Sequence, residues 1–311
     1  MNSLRTVVIL NQPNAAASLD SVSLSHARVL VTGSNGMLAT DLVDSLRDAG
    51  VTDLLLVDRD QLDICDASAV DKTVADVDVV INCAAYTAVD AAEEDEGTAF
   101  EINATGAGNL AEACARHGAR LVHISTDYVF AGDASEPYSE DAEPNPAGAY
   151  GRTKAAGEQA VRASGADALV VRTAWLYGRG GPCFPKTIAR LVSERGSISV
   201  VDDQIGQPTW TRDVSAFIVR LLEADAPAGI YHATSAGKCS WFDFATAIIA
   251  SAGLSGAVEP TTSDKFPRPA PRPAWSVLGH DAHEALGIAG IGPWDERWQT
   301  ASAEVLADIV S

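Results

Sequence analysis

Basic residues are scarce in this 311-residue sequence: 22 Lys and Arg stand against 42 Asp and Glu, a formal net charge of -20. Nucleic acid and anionic membrane both need a basic face, so neither is expected as a partner. A phosphorylated ligand stays open, because a few local Arg side chains and backbone N–H groups suffice for it. Cysteine is sparse too. Cys65, Cys83, Cys114, Cys183 and Cys239 lie far apart, are odd in number and include no C-x-x-C pair. That argues against a disulfide framework or a zinc site, and for reduced thiols in the cytoplasm. The 6 histidines include no H-E-x-x-H and no ligand-like cluster. No apolar run approaches the ~20 residues of a membrane span. Residues 1–27 hold only Val7-Val8-Ile9-Leu10 as an apolar run, too short for a signal-peptide core, and read as a variable N-terminal extension. No internal repeat is visible.

What is present reads as a globular α/β chain. Hydrophobic residues make up 47%, enough for a core, and the length suits one large domain or two unequal ones. Arg28-Val29-Leu30-Val31-Thr32 is a short apolar run that ends in Gly33-Ser34-Asn35-Gly36-Met37-Leu38-Ala39, after which a helical pattern runs through Leu42, Val43 and Leu46 to Gly50. Strand, glycine turn and helix in that order let backbone N–H groups approach a pyrophosphate at a helix N-terminus. The spacing, G-x-x-G-x-x-A, is a weak signal alone, since an ordinary tight turn gives it as well. Its context raises it. Leu54-Leu55-Leu56-Val57 is a second strand ending in Asp58-Arg59. The Asp58 carboxylate fits an adenosine ribose diol, whereas the Arg59 guanidinium fits a 2′-phosphate, so NAD and NADP both stay open. Asp63 and Ile64 mark a loop where an adenine can be held. Residues 77–82 form a third strand leading into Cys83-Ala84-Ala85, small residues that let a cofactor pass closely. Residues 121–124 and 168–172 supply a fourth and fifth strand, and 97–117 a helix with Asn103 inside it.

This alternation predicts a Rossmann-like doubly wound parallel sheet with its ligands at the C-terminal strand ends. The chain then divides into the extension, a dinucleotide-binding domain over 28–175, and a smaller, mainly substrate-binding C-terminal lobe over 176–311, segments of which can return to the sheet. Short helices are expected at 184–195, 211–223 and 241–252.

Tyr150-Gly151-Arg152-Thr153-Lys154 carries the chemistry. Pro144 and Pro146 precede it and cannot continue a helix, so a helix is expected to begin near Tyr150. Residues four apart share a helical face, which lets the Tyr150 phenol and the Lys154 ammonium point into one space. A free tyrosine titrates near ~10, and an adjacent ammonium is expected to bring that down toward neutrality. An unrelated Tyr and Lys on a surface helix is the rival explanation of the pair alone. Thr126 lies at the end of the fourth strand, and a strand-end hydroxyl, a Tyr and a Lys together can bind a carbonyl oxygen, give it a proton and hold a nicotinamide ribose.

A Ser/Thr and Tyr-x-x-x-Lys set after a glycine turn resembles the extended short-chain dehydrogenase/reductases. Several stretches resemble one of their families, the dTDP-4-dehydrorhamnose reductases, more closely: Ser125-Thr126-Asp127-Tyr128-Val129-Phe130, the run from Tyr150 to Glu158, Arg172-Thr173-Ala174-Trp175-Leu176-Tyr177-Gly178, Asp203-Gln204-Ile205-Gly206-Gln207-Pro208-Thr209, Gly229-Ile230-Tyr231-His232 and Arg272-Pro273. The likeness runs from about 28 to about 305. It implies catalysis by Thr126, Tyr150 and Lys154. It implies a cofactor lined by Gly33, Gly36, Met37, Leu38, Asp63, Ile64, Ala84, Ala85, Tyr150 and Lys154, besides Asp58 and Arg59. Thr87, Val89, Asp127, Tyr128, Trp175 and Arg272 would contact the sugar, Trp175 with its ring face. The activity implied is reduction of the C4 keto group of a dTDP-linked 4-keto-6-deoxysugar, dTDP-4-dehydrorhamnose first, with another dTDP-deoxysugar of a secondary-metabolite pathway as the alternative. NADPH is the cofactor expected, with NADH also usable.

Three departures stand out. Cys183-Phe184 replaces the family's usual Asn-Phe, and Trp275 stands where Asn is common after Arg-Pro-Ala. Some members hold magnesium at a dimer contact with an acidic residue shortly after the Pro-Thr. Here Trp210-Thr211-Arg212 follow, and Arg212 would repel a cation. No metal is therefore expected, and a monomer or weak homodimer is. Dehydratases on this scaffold carry Asp-Glu after the catalytic Thr, whereas Asp127 is followed by Tyr128, so elimination lacks its second carboxyl group. A regulatory binding subunit, from a different class, would tend to lose the Tyr or Lys that this chain keeps.

Overall fold

The computed structural model describes residues 23–309, so the first 22 residues of the extension read over 1–27 lie outside them; within it Leu24–His26 form a 3-10 turn and Ala27 is buried. Six parallel strands make the central sheet: β1 (Arg28–Thr32), β2 (Asp53–Val57), β3 (Val79–Asn82), β4 (Arg120–Thr126), β5 (Ala168–Thr173) and β6 (Gly229–His232). Their spatial order is β6-β5-β4-β3-β1-β2. The chain leaves β1 for β2 on one side and returns to β3 on the other, which makes the gap between β1 and β3 the topological switch point. Helices cover both faces, so β3 and β5 are buried along their whole length and, up to Asn82 and Arg172 near their ends, read as apolar runs rather than alternating ones.

The longer helices are α1 (Met37–Asp48), α2 (Ala67–Val74), α3 (Ala107–His117), α4 (Ala149–Ala163), α5 (Phe184–Arg195), α6 (Thr211–Glu223), α7 (Trp241–Ala252) and α8 (Trp294–Val305). Leu38, Leu42 and Leu46 of α1 recur at helical spacing and pack with Val214, Phe217, Ile218 and Leu221 of α6 over one face of the sheet. On the other face Val70, Val74, Leu110, Cys114 and Val161, from α2, α3 and α4, cover Leu30, Val80 and Leu121. A third cluster joins α5, α7 and α8 around Tyr177, Trp210, Phe244 and Trp298, beside the sheet rather than on it. The chain beyond residue 175 thus feeds both layers: β6 and α6 belong to the sheet sandwich, and the aromatic cluster stands apart.

The helices expected at 184–195, 211–223 and 241–252 are α5, α6 and α7. The helix expected over 97–117 is one α-helical turn at Glu96–Phe100, a π-helical stretch at Glu101–Gly106 and then α3. A wide turn inside a helix often marks a functional site, and this one carries Asn103.

Candidate active site

A cleft of about 920 Å³ opens at the C-terminal ends of the strands and runs across the switch point. Every expected site residue lines it except Arg272. Arg272 turns to the side, where its guanidinium donates to Asp90 Oδ1 at 2.9 Å and to the Ala270 carbonyl at 3.0 Å.

At the dinucleotide end the wall is backbone. Gly33 sits at φ +64°, and a Cβ there would lie 2.7 Å from the Ala84 nitrogen, so only glycine lets β1 and β3 come together at this point. Gly36 N-caps α1, and no side chain occupies the free N–H groups of its first turn. Asp58 is fixed by two backbone donors, Asn35 N at 3.1 Å and Arg59 N at 2.7 Å. Each carboxylate oxygen keeps a lone pair for a ribose hydroxyl. Arg59 is exposed, and its guanidinium has no hydrogen bond or ion pair among the described residues. Glycine backbone, an open helix start, an anchored carboxylate and an unpaired guanidinium fit an adenine dinucleotide, the last of them one with a 2′-phosphate.

At the other end the wall is large polar side chains. The run into α4 has no side-chain cap of its own; Glu93 reaches across to accept from Ala149 N at 2.7 Å. Tyr150 is half-buried, edge-on to Tyr128 with ring centroids 5.5 Å apart. Lys154 is 2% exposed and donates through Nζ to the Ile124 carbonyl at 2.7 Å. Thr126 donates to Asp127 Oδ1 at 2.9 Å and accepts from Tyr128 N at 3.2 Å. Asp127 Oδ2 and Thr173 Oγ1 are buried without a partner, the two side-chain polar atoms of the cleft left unsatisfied among the described residues.

The electrostatics differ from the expectation. Burial pushes the Tyr150 phenol up to about 12, the Thr126 hydroxyl pulls it down and Asp127 pushes it up; Lys154 is not among the groups acting on it. The ammonium is held elsewhere, on the Ile124 carbonyl, and burial lowers Lys154 to about 8 against the attraction of Glu158. Asp127 is raised to about 6 by burial, against hydrogen bonds from Thr126 and Ser276. Four-residue spacing therefore brings Tyr150 and Lys154 into one cleft, where burial dominates the ionisation of both.

Trp175 has the left-handed backbone angle φ 46°, costly for a bulky residue. Its ring stacks on Trp241 at 3.5 Å with the planes 7° apart, and a Cβ on Gly206 would collide with it. One ring face is covered by Trp241. Cys183 is buried, with Sγ 3.6 Å from the Gly178 carbonyl. Trp275 points away, its indole N–H donating to the Glu136 carbonyl at 2.9 Å, and Lys238 sits over its ring at 4.4 Å. Arg212 pairs with Glu304 at 3.1 Å. Among the described residues no group of three or more His, Cys, Asp or Glu is placed to hold a metal ion.

Three supports escaped the sequence reading. Glu158, one turn after Lys154, forms a buried bidentate pair with Arg172 (2.9 and 2.7 Å) and accepts from Ser125 Oγ at 2.5 Å, so α4, β4 and β5 are bolted together under the site. Asn103 accepts from Tyr86 N at 2.8 Å and donates to Tyr86 O and Thr153 Oγ1, tying the π-helical turn to the cofactor loop and to α4. Asn82 bridges Thr32 (2.7 Å) and His123 (3.1 Å) below the switch point. A charged or amide residue on an otherwise apolar strand or helix face was the available signal for all three.

A family model described as the RmlD substrate binding domain matches residues 27–308. The dTDP-4-dehydrorhamnose reductase of Mycolicibacterium smegmatis is 46% identical over 282 residues, 90% of this chain and 86% of that one. A probable dTDP-4,6-dihydroxy-2-methyloxan-3-one 4-ketoreductase of Streptomyces antibioticus is also 46% identical, over 90% of this chain and 96% of its own length. Among solved structures, the dTDP-4-dehydrorhamnose reductase of Bacillus anthracis in complex with NADP superposes with a TM-score of 0.85 at 41% identity, covering 88% of this chain and 98% of that one.

Proposed function

The chain belongs to the RmlD substrate-binding-domain family, that of the dTDP-4-dehydrorhamnose reductases, and from that membership we propose that it is an NADPH-dependent reductase of the C4 keto group of a dTDP-linked 4-keto-6-deoxysugar. The observation that carries the reading is the meeting of Thr126, Tyr150 and Lys154 with the Gly33 turn in one cleft. When bound, NADPH supplies the hydride that reduces the carbonyl carbon. Tyr150 gives its proton to the oxygen that becomes an alkoxide, and burial keeps the phenol neutral and loaded at physiological pH. Thr126 orients the same oxygen. Lys154, fixed by the Ile124 carbonyl through one N–H, has two donors left for a ribose diol. The unpaired Asp127 Oδ2 and Thr173 Oγ1 are the places where sugar hydroxyls find partners. Tyr128 stands where a dehydratase needs its second carboxylate, which supports reduction over elimination. With five unpaired cysteines the enzyme works in the cytoplasm.

Within this class dTDP-4-dehydrorhamnose is the first substrate. The equal identity to the Streptomyces antibioticus 4-ketoreductase favours a related dTDP-deoxysugar as the second reading. Mixing the purified protein with NADPH and enzymatically made dTDP-4-keto-6-deoxyhexoses, following NADPH loss and assigning the product by NMR, tests both. Consumption with dTDP-4-dehydrorhamnose giving dTDP-rhamnose is expected. Turnover only with another 4-ketosugar selects the second reading, and no turnover with any of them sinks the class.

A further inference from the structure

The segment Gly178-Arg179-Gly180-Gly181-Pro182 joins Tyr177 to Cys183, and its last three residues wall the cleft beside Met37 and Leu38. Three glycines in five residues give such a loop almost no side-chain packing of its own, so something else must hold its shape. Part of the hold is backbone fit. A Cβ on Gly180 would lie 2.7 Å from Thr40 Oγ1, one on Gly181 3.5 Å from the Met37 Cβ, and one on Gly178 would collide with the Thr211 hydroxyl. The loop thus lies flush on α1 and on the start of α6.

The rest is one guanidinium. Asp41, in the middle of α1, is 1% exposed, and a carboxylate so buried needs a charge partner. Arg179 is its ion-pair partner among the described residues, with Nε donating to Oδ1 at 3.0 Å, and the Thr211 hydroxyl donates to Oδ2. The same guanidinium donates through Nη2 to Asp44, one turn further along α1, and lies 3.4 Å from Glu304 of α8. The Arg179 carbonyl accepts from Lys186 Nζ at 2.9 Å, so the loop is tied from its backbone as well. Arg suits the post, because its planar fork keeps several donors in fixed directions at once.

We propose that Arg179 is a positioning residue for the dinucleotide: it latches the glycine loop onto α1, so that the loop wall and the first turn of α1 stay in register around the pyrophosphate. This rests on the NADPH reading above. Arg179 touches neither reacting atom; it acts through the loop and through α1.

The test compares wild type with Arg179→Gln, Arg179→Lys and the double variant Asp41→Asn/Arg179→Gln. NADPH affinity is read by fluorescence titration at low and high salt, and stability by urea unfolding. Arg179→Gln strands the Asp41 carboxylate, so it is expected to lose stability and about tenfold in NADPH affinity; the double variant should regain stability and keep the weak binding. Arg179→Lys should fall between, and added salt should weaken the wild type more than the double variant, because half-exposed charges are screened. In turnover the loss should lie in KM for NADPH more than in kcat. A double variant that is stable and binds like wild type would overturn the latch and leave Arg179 as a fold-stabilising ion pair. Failure of the wild type itself to bind NADPH would remove the cofactor reading and the latch with it.

Discussion

At one end of the cleft, proposed for the dinucleotide, the lining gathers glycine, alanine and backbone N–H around the Gly33 turn with Asp58 and Arg59 beside it, whereas at the end proposed for the substrate it is Tyr128, Tyr150, Asp127, Thr126 and Trp175. The first end is made of turns at neighbouring strand ends. Gly33 meets Ala84 because adjacent strands bring two turns together, and Asp58 is held by its own neighbour and by the glycine turn. The second end is assembled from distance: Thr126 from β4, Tyr150 and Lys154 from α4, and Trp175 propped by Trp241 and Gly206. Its polar groups are buried or half-buried, and the ionisation of Asp127, Tyr150 and Lys154 is displaced accordingly. Backbone suffices to hold a ligand of fixed shape. Moving a proton needs side chains whose protonation the fold controls.

The contrast can be broken by experiment, most severely at Tyr150. Tyr150→Phe removes the proton donor and leaves every other cofactor-lining residue in place, so kcat should fall at least ~100-fold while NADPH affinity, measured by fluorescence titration, changes far less. Near-normal turnover would take Tyr150 out of the mechanism. Gly33→Ala should act in the opposite sense. Its left-handed φ and the approach to Ala84 carry strain of order 1–3 kcal/mol, so KM for NADPH should rise on the order of tenfold or more. A well-folded variant with unchanged KM would show that the two turns can part freely.

The pH profile separates the two ends more finely. Lys154 is lowered from 10.5 to about 8, so it is charged below that pH and neutral above it. The profile of kcat/KM for NADPH, which reports the free enzyme, should be level up to about pH 8 and then fall about tenfold per unit, because Tyr150 at about 12 stays protonated throughout. A level profile up to pH 10 would mean that the Lys154 charge is idle. The smallest and most selective effect belongs to Arg59. Arg59→Ala should raise KM for NADPH roughly tenfold, a loss of ~1.4 kcal/mol, and leave NADH nearly untouched. Equal losses for both would mean that Arg59 stacks on the adenine and does not read a 2′-phosphate.

The legible parts of this chain are those whose signal lies within one turn or one strand. Strand, glycine turn and helix at 28–48 follow from apolar runs and two glycines, and α5, α6 and α7 stand where periodicity puts them. Tyr150 and Lys154 share a cleft because residues four apart share a helical face. Their electrostatics were not legible. Which carbonyl takes the Lys154 ammonium, and how deeply Tyr150 is covered, depend on β4 lying beside α4, as does the Ser125–Glu158 bond.

By itself, then, the sequence determined the local geometry: element type, the glycine that a left-handed turn requires, and the spacing that brings Tyr150 and Lys154 to one cleft. Only the tertiary structure decided where Arg272 and Trp275 point, that Glu158 finds Arg172, that Asp41 finds Arg179 across more than a hundred residues, and that Trp175 accepts an unfavourable backbone angle to stack on Trp241. The physical reason is range. Backbone preference and periodicity act over a few residues and leave their mark in the order of the letters. A buried charge or a shared ring face gains its energy from whichever partner the folded chain brings alongside, and that partner can lie anywhere in the sequence.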